Sequence, residues 1–408
     1  MARTTTEATG TVQGDLTFAE LHGQLRQDLP LTQKVAYFQT GGHGLAPDSV
    51  IKVVHDTMLY LNHNGAAVPE VKQALSEREG AVRQQLADFL NVGPQGMAWT
   101  PNTSQAMQRV IRNVRWQSGD EFIVSSAEHV SVRGACRILD EQYGVAIKTI
   151  PADQGDDALL EALTLALTDR TRLVCLSQAT TLDGRRLPIA EAAAIAHEQG
   201  VPVMVDGAQS VGQYPVDVAA LGCDFFFGSG HKWLLGPRGQ GFLWIAPERF
   251  PGFRPDFVPD GYPWLLWRQP GDPLPPATAA SRVEQGTHDY SIRIGLGRAL
   301  EILTTMGLDR IEAYVHQLAD TLFQEVRQWE GVKIVSPTDP GRASGLVALT
   351  FDGYDEPNLR ALIAKLMEER IVVKFQPELT AMRISIASFN DGDEIHRLLE
   401  TLKRFLFQ

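Results

Sequence analysis

The chain has few cysteines, a deficit of positive charge and no long apolar run. Its three cysteines, Cys136, Cys175 and Cys223, do not have the spacing of a metal site. We therefore expect buried, reduced thiols and no metal centre. Lysine and arginine number 37 against 49 acidic residues, and the net charge of -12 is spread without long runs of one sign. This balance argues against nucleic acid or an anionic membrane as the main partner.

Targeting signals are also missing from the sequence. No apolar stretch reaches the length of a membrane span, and the N-terminus, MARTTTEATGTVQGD, has neither the basic start nor the apolar centre of a secretion signal. We expect a cytoplasmic protein with no membrane partner. Residues 1–15 are polar and predict a disordered tail. With 408 residues, of which 44% are hydrophobic, the chain can bury a large core and form a major and a smaller domain.

Strand and helix patterns alternate over much of the chain. Helical patterns cover Asp48 to Leu61 and Pro69 to Leu90, and a helical run extends from Ser291 to about Gln328. The predicted strands between these helices are Glu121 to Val124, Ile147 to Ile150, Leu173 to Leu176 and Val201 to Val205. The alternation predicts an α/β fold with a mostly parallel sheet covered on both faces. We place this large domain at residues 16–295 and a smaller α+β C-terminal domain at residues 296–408.

An acid and an amine mark a candidate site. Asp206 follows the apolar run Val201 to Val205, and Lys232 follows a second apolar run, Cys223 to Phe227. If both strands are parallel, the two side chains meet at one sheet edge. There the lysine can form a Schiff base with pyridoxal phosphate, and the aspartate can keep the pyridine nitrogen protonated. For either residue alone, a buried salt bridge or a solvated surface charge is an equally good interpretation.

Several motifs carry a resemblance to a known family. They are YFQTGGHGLAP at Tyr37 to Pro47, NTSQAM at Asn102 to Met107, AEHVS at Ala127 to Ser131, DGAQ at Asp206 to Gln209, SGHK at Ser229 to Lys232, EQGTHD at Glu284 to Asp289 and MRIS at Met382 to Ser385. With these motifs in family order, the chain resembles the class V aminotransferases. These are fold-type I pyridoxal phosphate enzymes that include cysteine desulfurases, isopenicillin N epimerase and cystine carbon-sulfur lyases. The resemblance implies pyridoxal phosphate as cofactor, an amino-acid substrate and a homodimer with shared active sites.

One group of residues is assigned to the cofactor phosphate. Thr103 and Ser104 precede a helical pattern, so their hydroxyls and the free amides of the first turn can hold a dianion. Without the other motifs, an ordinary helix cap is the better interpretation. The resemblance adds Ser229 and His231 as further phosphate ligands. It also implies that Thr287 completes the phosphate site of a neighbouring subunit.

A second group is assigned to the cofactor ring and the substrate. The resemblance implies that His129 stacks on the pyridine face and relays protons, and that Gln209 bonds the phenolic oxygen. It places Gly42 and His43, in the glycine-rich entry loop, at the substrate. Arg383 corresponds to the arginine that binds the substrate carboxylate as a two-pronged ion pair. Taken alone, each of these residues has an ordinary structural interpretation.

Two departures from the family pattern narrow the function. No cysteine follows Cys223, so the mobile cysteine of persulfide-forming desulfurases has no counterpart. Many relatives carry an asparagine two residues before Gly184, where this chain has Leu182. We expect this leucine to remove one hydrogen bond to the phenolic oxygen and to alter the electronics of the cofactor.

The resulting functional prediction is a carbon-sulfur β-lyase acting on cysteine or a cysteine conjugate. Lys232 forms the imine with the cofactor, is displaced by the substrate amine and removes the α-proton, while the acid at Asp206 keeps the ring protonated. Alternatives are an aminotransferase, an epimerase or an oxidative decarboxylase-deaminase of a specialised biosynthetic pathway. The aromatic insert Tyr262 to Trp267 would suit a bulky substrate in such a pathway. The remote alternative is a cofactor-binding protein without turnover.

Overall fold

The computed structural model describes residues 16–253, 279–284 and 286–407. The predicted tail (1–15) and the aromatic insert (262–267) lie outside the described residues. The helices are α1 (Phe18–Gln27), α2 (Asp48–Asn64), α3 (Pro69–Phe89), α4 (Thr103–Asn113), α5 (Val130–Tyr143), α6 (Asp156–Ala166), α7 (Ile189–Glu198), α8 (Val218–Leu221), α9 (Tyr290–Met306), α10 (Leu308–Val326), α11 (Glu356–Glu368) and α12 (Gly392–Phe407). The strands are β1 (Ala36–Tyr37), β2 (Met97–Thr100), β3 (Glu121–Ser125), β4 (Ala146–Ile150), β5 (Thr171–Ser177), β6 (Val203–Asp206), β7 (Phe225–Ser229), β8 (Gly241–Ile245), β9 (Val332–Ile334), β10 (Leu346–Phe351), β11 (Ile371–Val372), β12 (Lys374–Gln376) and β13 (Ala381–Ser385).

A seven-stranded sheet forms the centre of the larger part, with the strand order β2-β8-β7-β6-β5-β3-β4. Strands β3 to β7 run parallel, and β8 is antiparallel to its neighbours β2 and β7. Along β5, Leu173 and Cys175 belong to one apolar cluster, whereas Val174 and Leu176 belong to the other. This alternation buries both faces of the sheet. The predicted mostly parallel α/β sheet is confirmed.

Two strands begin later than the sequence pattern predicted. Strand β6 starts at Val203 because the amide of Val201 closes the turn after α7 by donating to the carbonyl of Ala196 at 3.0 Å, and Pro202 has no amide hydrogen. Strand β7 starts at Phe225. The preceding Asp224 interacts with the start of β6, because its carboxylate accepts the amide of Val203 at 2.6 Å.

The helical run predicted from Ser291 to about Gln328 is interrupted once. The chain forms two helices, α9 and α10, that meet at Gly307. This residue has a φ of 82°, a left-handed conformation that glycine adopts without steric cost. Helical periodicity continues on both sides of the break, and for this reason the pattern did not locate it.

The C-terminal part contains an antiparallel sheet of order β12-β13-β10-β9. Strand β1 pairs in parallel with β11, which attaches the segment around β1 to this part of the molecule. The boundary between domains at residues 295 and 296 stays a prediction. Cys136, Cys175 and Cys223 are buried and unpaired, as expected. Within the described ranges, no helix is both long and apolar enough to cross a membrane.

Truncation of one buried side chain on strand β5 should measure how strongly the core of this sheet stabilises the fold. Leu176 on β5 is completely buried, so Leu176→Ala should lower the free energy of unfolding by about 2–5 kcal/mol through lost contacts and a residual cavity. Leu165→Ala in α6 is the matched control, because Leu165 is 77% exposed and its removal should cost less than about 0.5 kcal/mol. Urea denaturation followed by circular dichroism tests the pair, and equal effects would contradict the assigned core.

Candidate active site

A cavity of about 300 Å³ opens at the carboxyl ends of β5 and β6. The first turn of α4, the entry loop before α2, the turn after β7 and strand β12 complete its wall. Parallel strands deliver the residues that follow them to one edge of a sheet. This is the sheet edge at which the sequence predicts that Asp206 and Lys232 meet.

Lys232 and Asp206 both line this cavity, because β6 and β7 are adjacent and parallel. One carboxylate oxygen of Asp206 accepts the amide of Ala208 at 2.8 Å. Burial lowers the pKa of Lys232 to about 8, and Asp206 opposes this shift by attracting the ammonium group. Burial raises the pKa of Asp206, and Lys232 opposes that shift in turn. The pair therefore consists of an amine with a lowered pKa and a carboxylic acid that shares its cavity.

The first turn of α4 provides an anion site. Asn102 caps the helix by accepting the amide of Gln105 at 2.9 Å. Thr103 and Ser104 line the cavity at the positive end of the helix dipole. The hydroxyl of Ser229, at the end of β7, is buried and has no hydrogen-bond partner in the described part of the chain.

Two histidines of the cavity are neutral near pH 7. Burial and the cations around it lower the pKa of His129 to about 4. The Nδ1 of His129 accepts the amide of Ser131 at 3.2 Å, which places the ring hydrogen on Nε2. Burial and Lys232 lower the pKa of His231 to about 4, and its ring lies 5.9 Å from that of His43.

Gln209 connects the entry loop to the floor of the cavity. Its Nε2 donates to the carbonyl of Gly41 at 2.9 Å and to the hydroxyl of Thr181 at 3.3 Å. Trp233 donates to its Oε1 at 2.9 Å and fixes the orientation of the amide. The loop lies so close to the lysine turn that a Cβ on Gly44 would overlap the carbonyl oxygen of Lys232.

Arg383 is completely buried on β13, beside the cavity. Its Nη1 donates to the carbonyl and the hydroxyl of Thr181, at 2.8 Å and 3.0 Å. Its Nε and Nη2 have no partner among the described residues. A buried guanidinium with unused donors is a site for an anion.

Other expected site residues lie elsewhere. Thr287 is in a second cavity of the same chain, beside Pro101 and Gly239. Leu182 packs against the apolar core and does not line the main cavity. The neighbouring Thr181 lines the cavity, and the expected effect of Leu182 on the electronics of the cofactor stays a prediction.

Several residues that line the cavity were not singled out from the sequence, among them Ser177, Thr181 and Lys374, and the buried carboxylate of Glu128 was given no role. Lys374 and Ser177 line the cavity. Glu128 is buried below and accepts hydrogen bonds from the hydroxyls of Ser125 and Ser177 at 2.6 Å and 2.7 Å. The alternation of polar and apolar residues from Val373 to Gln376 was a signal for the strand that carries Lys374. Ser177 directly follows the predicted strand Leu173 to Leu176, the same signal that identified Asp206.

Comparison with known proteins identifies the family. Residues 36–398 match the model of the aminotransferase class-V family. The chain is 29% identical over 337 residues to the isopenicillin N epimerase of Amycolatopsis lactamdurans, covering 79% of this chain and 83% of the relative. It is 28% identical over 414 residues to a cysteine desulfurase of Klebsiella pneumoniae strain 342, covering 93% and 97%. A solved complex of the cystine C-S lyase C-DES with its product cysteine persulfide has a TM-score of 0.82 and 28% identity, covering 92% and 98%.

The chain belongs to the class-V aminotransferase family. It is thus a fold-type I enzyme that depends on pyridoxal phosphate. The residues present fit this cofactor, since the amine of Lys232 lies in one cavity with the acid of Asp206 and the first turn of α4. Ser229, at the end of β7, does not line the cavity, although its buried hydroxyl has no hydrogen-bond partner among the described residues.

The amine of Lys232 should be reactive at lower pH than an ordinary lysine. In the protein without its cofactor, a trace amount of an acylating reagent should modify Lys232 increasingly as the pH rises. The midpoint should lie near pH 8, because only the neutral amine reacts. Asp206→Asn should move the midpoint to lower pH, since the carboxylate's attraction stabilises the ammonium form. Mass spectrometry of the labelled peptides measures both, with exposed lysines as the internal reference. An identical midpoint in the two proteins would contradict the pairing.

Proposed function

We propose that this enzyme is a carbon-sulfur β-lyase that acts on cysteine or a cysteine conjugate. Water and the substrate are converted to a thiol, pyruvate and ammonium. The observation that carries the proposal is the position of the poised amine of Lys232 near Arg383, whose buried guanidinium has two unused nitrogen donors. The similarity to proteins described as cysteine desulfurases and a cystine C-S lyase supports it.

Substrate binding is assigned to Arg383. A carboxylate can accept hydrogen bonds from its Nε and Nη2, which form a planar two-pronged donor set. Thr181 holds the remaining nitrogen, Nη1, and therefore fixes the plane of the guanidinium. The α-amino group and α-carbon of the substrate would then face the cavity that Lys232 shares. Gly42 and His43 would lie beside the substrate at the cavity entrance.

Proton removal is assigned to Lys232. When bound, pyridoxal phosphate supplies an electrophilic aldehyde and an electron-withdrawing pyridinium ring. The pKa of about 8 leaves Lys232 able to accept the α-proton at neutral pH and to release it again. Asp206 would keep the ring nitrogen protonated, and the neutral ring of His129 would offer an uncharged face for stacking.

The phosphate and the phenolic oxygen of the cofactor would be held by other residues of the cavity region. Thr103 and Ser104 would hold the phosphate at the start of α4, together with Ser229 and His231. Gln209 would donate to the phenolic oxygen of the ring with the amide hydrogen that otherwise goes to the hydroxyl of Thr181, while its bonds to Gly41 and Trp233 hold the amide in place.

The described thiols do not suit transfer of sulfur to the protein. Burial raises the pKa of Cys136 to about 12, and it raises the pKa of Cys175 and of Cys223 well above the ordinary thiol value. These groups stay protonated at neutral pH, and only a thiolate attacks sulfur efficiently. The sulfur product would therefore leave as a free thiol or, from a disulfide substrate, as a persulfide.

Turnover of cysteine conjugates tests the proposal. The wild type should form pyruvate from L-cystine or an S-substituted cysteine, Lys232→Ala should form none, and Arg383→Lys should raise KM at least about tenfold because a two-pronged contact is lost. Arg298→Lys, at an exposed position, is the control. A coupled assay with lactate dehydrogenase measures pyruvate. No pyruvate from any conjugate would overturn the lyase proposal.

An epimerase is the second candidate, favoured by the similarity to isopenicillin N epimerase. It would use the same proton removal by Lys232, with return of a proton to the opposite face. His43 and His231 line the cavity and are candidate donors for that step. In the same incubations, exchange of the α-hydrogen for deuterium with inversion, and without pyruvate, would identify this reaction.

We also propose a cytoplasmic homodimer whose partner chain supplies Thr287 to the phosphate site. The exposed side chains Ile51, Met58 and Leu59 form an apolar face of α2, which packs against α9, the helix just after Thr287. Thr287 has a φ of 49°, an uncommon conformation that the surrounding structure must hold.

Disruption of this apolar face should separate the subunits. The double variant Ile51→Asp/Met58→Asp should have the mass of one chain, and its affinity for pyridoxal phosphate should fall at least about tenfold because the phosphate site is incomplete. Light scattering and titration of the cofactor absorbance measure the two effects. The control, Leu165→Asp, changes an exposed leucine on α6. A wild-type protein with the mass of one chain would rule out the shared site.

A further inference from the structure

Lys374 is a cavity residue to which the proposed β-elimination gives no role. It lies on β12, directly opposite Arg383 on the antiparallel strand β13. Residues directly opposite in such a pair point to the same face of the sheet, with their Cβ atoms about 4.5–5.5 Å apart. Lys374 also lines the main cavity together with Lys232. Two cationic side chains are therefore side by side at the substrate end.

The ammonium group of Lys374 has no hydrogen bond or ion pair within the described residues, although the side chain is half-buried. The carboxylate that attracts it is that of Glu378, which already pairs with Arg133 and accepts a hydrogen bond from Gln376. Burial, together with repulsion by Arg383, lowers the pKa of Lys374 to about 8.

The other charged groups of the cavity do not compensate Lys374. Lys232 is a further cation, and Asp206 interacts mainly with Lys232. His129 is neutral, with a pKa lowered to about 4 in part by these same cations. Buried charges in proteins are normally paired, so adjacent cations with unused donors indicate that the missing partners belong to a ligand.

A single carboxylate can satisfy only one of these two cations well. Once Arg383 holds the α-carboxylate as a two-pronged pair, the point charge of Lys374 remains for a second group. A neutral substrate side chain would leave that ammonium desolvated and unpaired, which is a cost, whereas an anionic one would remove the cost.

We propose that Lys374 selects substrates whose side chain carries a second anionic group beyond the β-carbon, such as a carboxylate. Cysteine conjugates with an acidic leaving group, including disulfides with a distal carboxylate, belong to this class. The inference rests on the proposed function, because Arg383 is taken as the site of the α-carboxylate.

Binding of unreactive anions tests the charge pairing without turnover. The holoenzyme should bind succinate at least about tenfold more tightly than butyrate, a monoanion of the same chain length, in isothermal titration calorimetry. Lys374→Gln should abolish this preference, and Lys374→Arg, which keeps the charge, should retain it. Equal binding of the two acids by the wild type would overturn the proposal.

Turnover provides the second measurement. The ratio of kcat/KM for S-carboxymethyl-L-cysteine to that for S-propyl-L-cysteine should fall at least about tenfold in Lys374→Gln and stay within about threefold in Lys374→Arg. A parallel loss for both substrates would instead assign a general structural or catalytic role. Loss of cofactor absorbance in Lys374→Gln would assign the lysine to the cofactor phosphate, and both results would overturn the selection.

The two proposals fail in different ways. If no conjugate yields pyruvate, the lyase proposal falls, while the succinate and butyrate titrations still decide the role of Lys374. If conjugates are cleaved without regard to their charge, the lyase proposal stands and the selection by Lys374 falls.

Discussion

The attraction between Lys232 and Asp206 inside a desolvated cavity is the interaction on which the site depends. Burial alone would drive the proton from the amine and add a proton to the carboxylate, and each group opposes the shift of the other. The pair persists because two adjacent parallel strands end at the same edge and their following turns are held by backbone hydrogen bonds. The pKa of the Lys232 amine therefore depends on the order of the strands in the sheet, which brings Asp206 to the same edge.

Close approach of the entry loop maintains this geometry from the other side. The amide of Gly44 donates to the carbonyl of His231 at 2.8 Å, and the carbonyl of Gly41 accepts from Gln209. The loop follows β1, which is paired with β11 of the C-terminal part. The N-terminal segment thus connects the turn that carries Lys232 to the region that carries Arg383, so movement of one part relative to the other would change the distance between these two side chains.

The sequence predicted the features that depend on local order along the chain. Asp206 and Lys232 could be found because each follows an apolar strand, and Thr103 and Ser104 because they begin a helix. Lys374 could not be placed, since its position at the cavity depends on pairing with Arg383 and on contact between sequence-distant elements. Arg383 itself was found by motif, and its unused donors became visible only with the Thr181 contacts.

Charge balance around the cavity connects cofactor and substrate binding. Burial raises the pKa of Glu128 to about 7, despite three hydrogen bonds from Ser125 and Ser177, so a large share of this carboxyl is neutral at physiological pH. Asp206 is then the negative group that acts on Lys232, whereas the carboxylate that acts on Lys374 and Arg383 is that of Glu378, which already pairs with Arg133. A cavity with this excess of positive charge attracts anions. The proposed ligands, a phosphate at α4 and carboxylates at β12 and β13, would supply the negative charges that the protein itself lacks there.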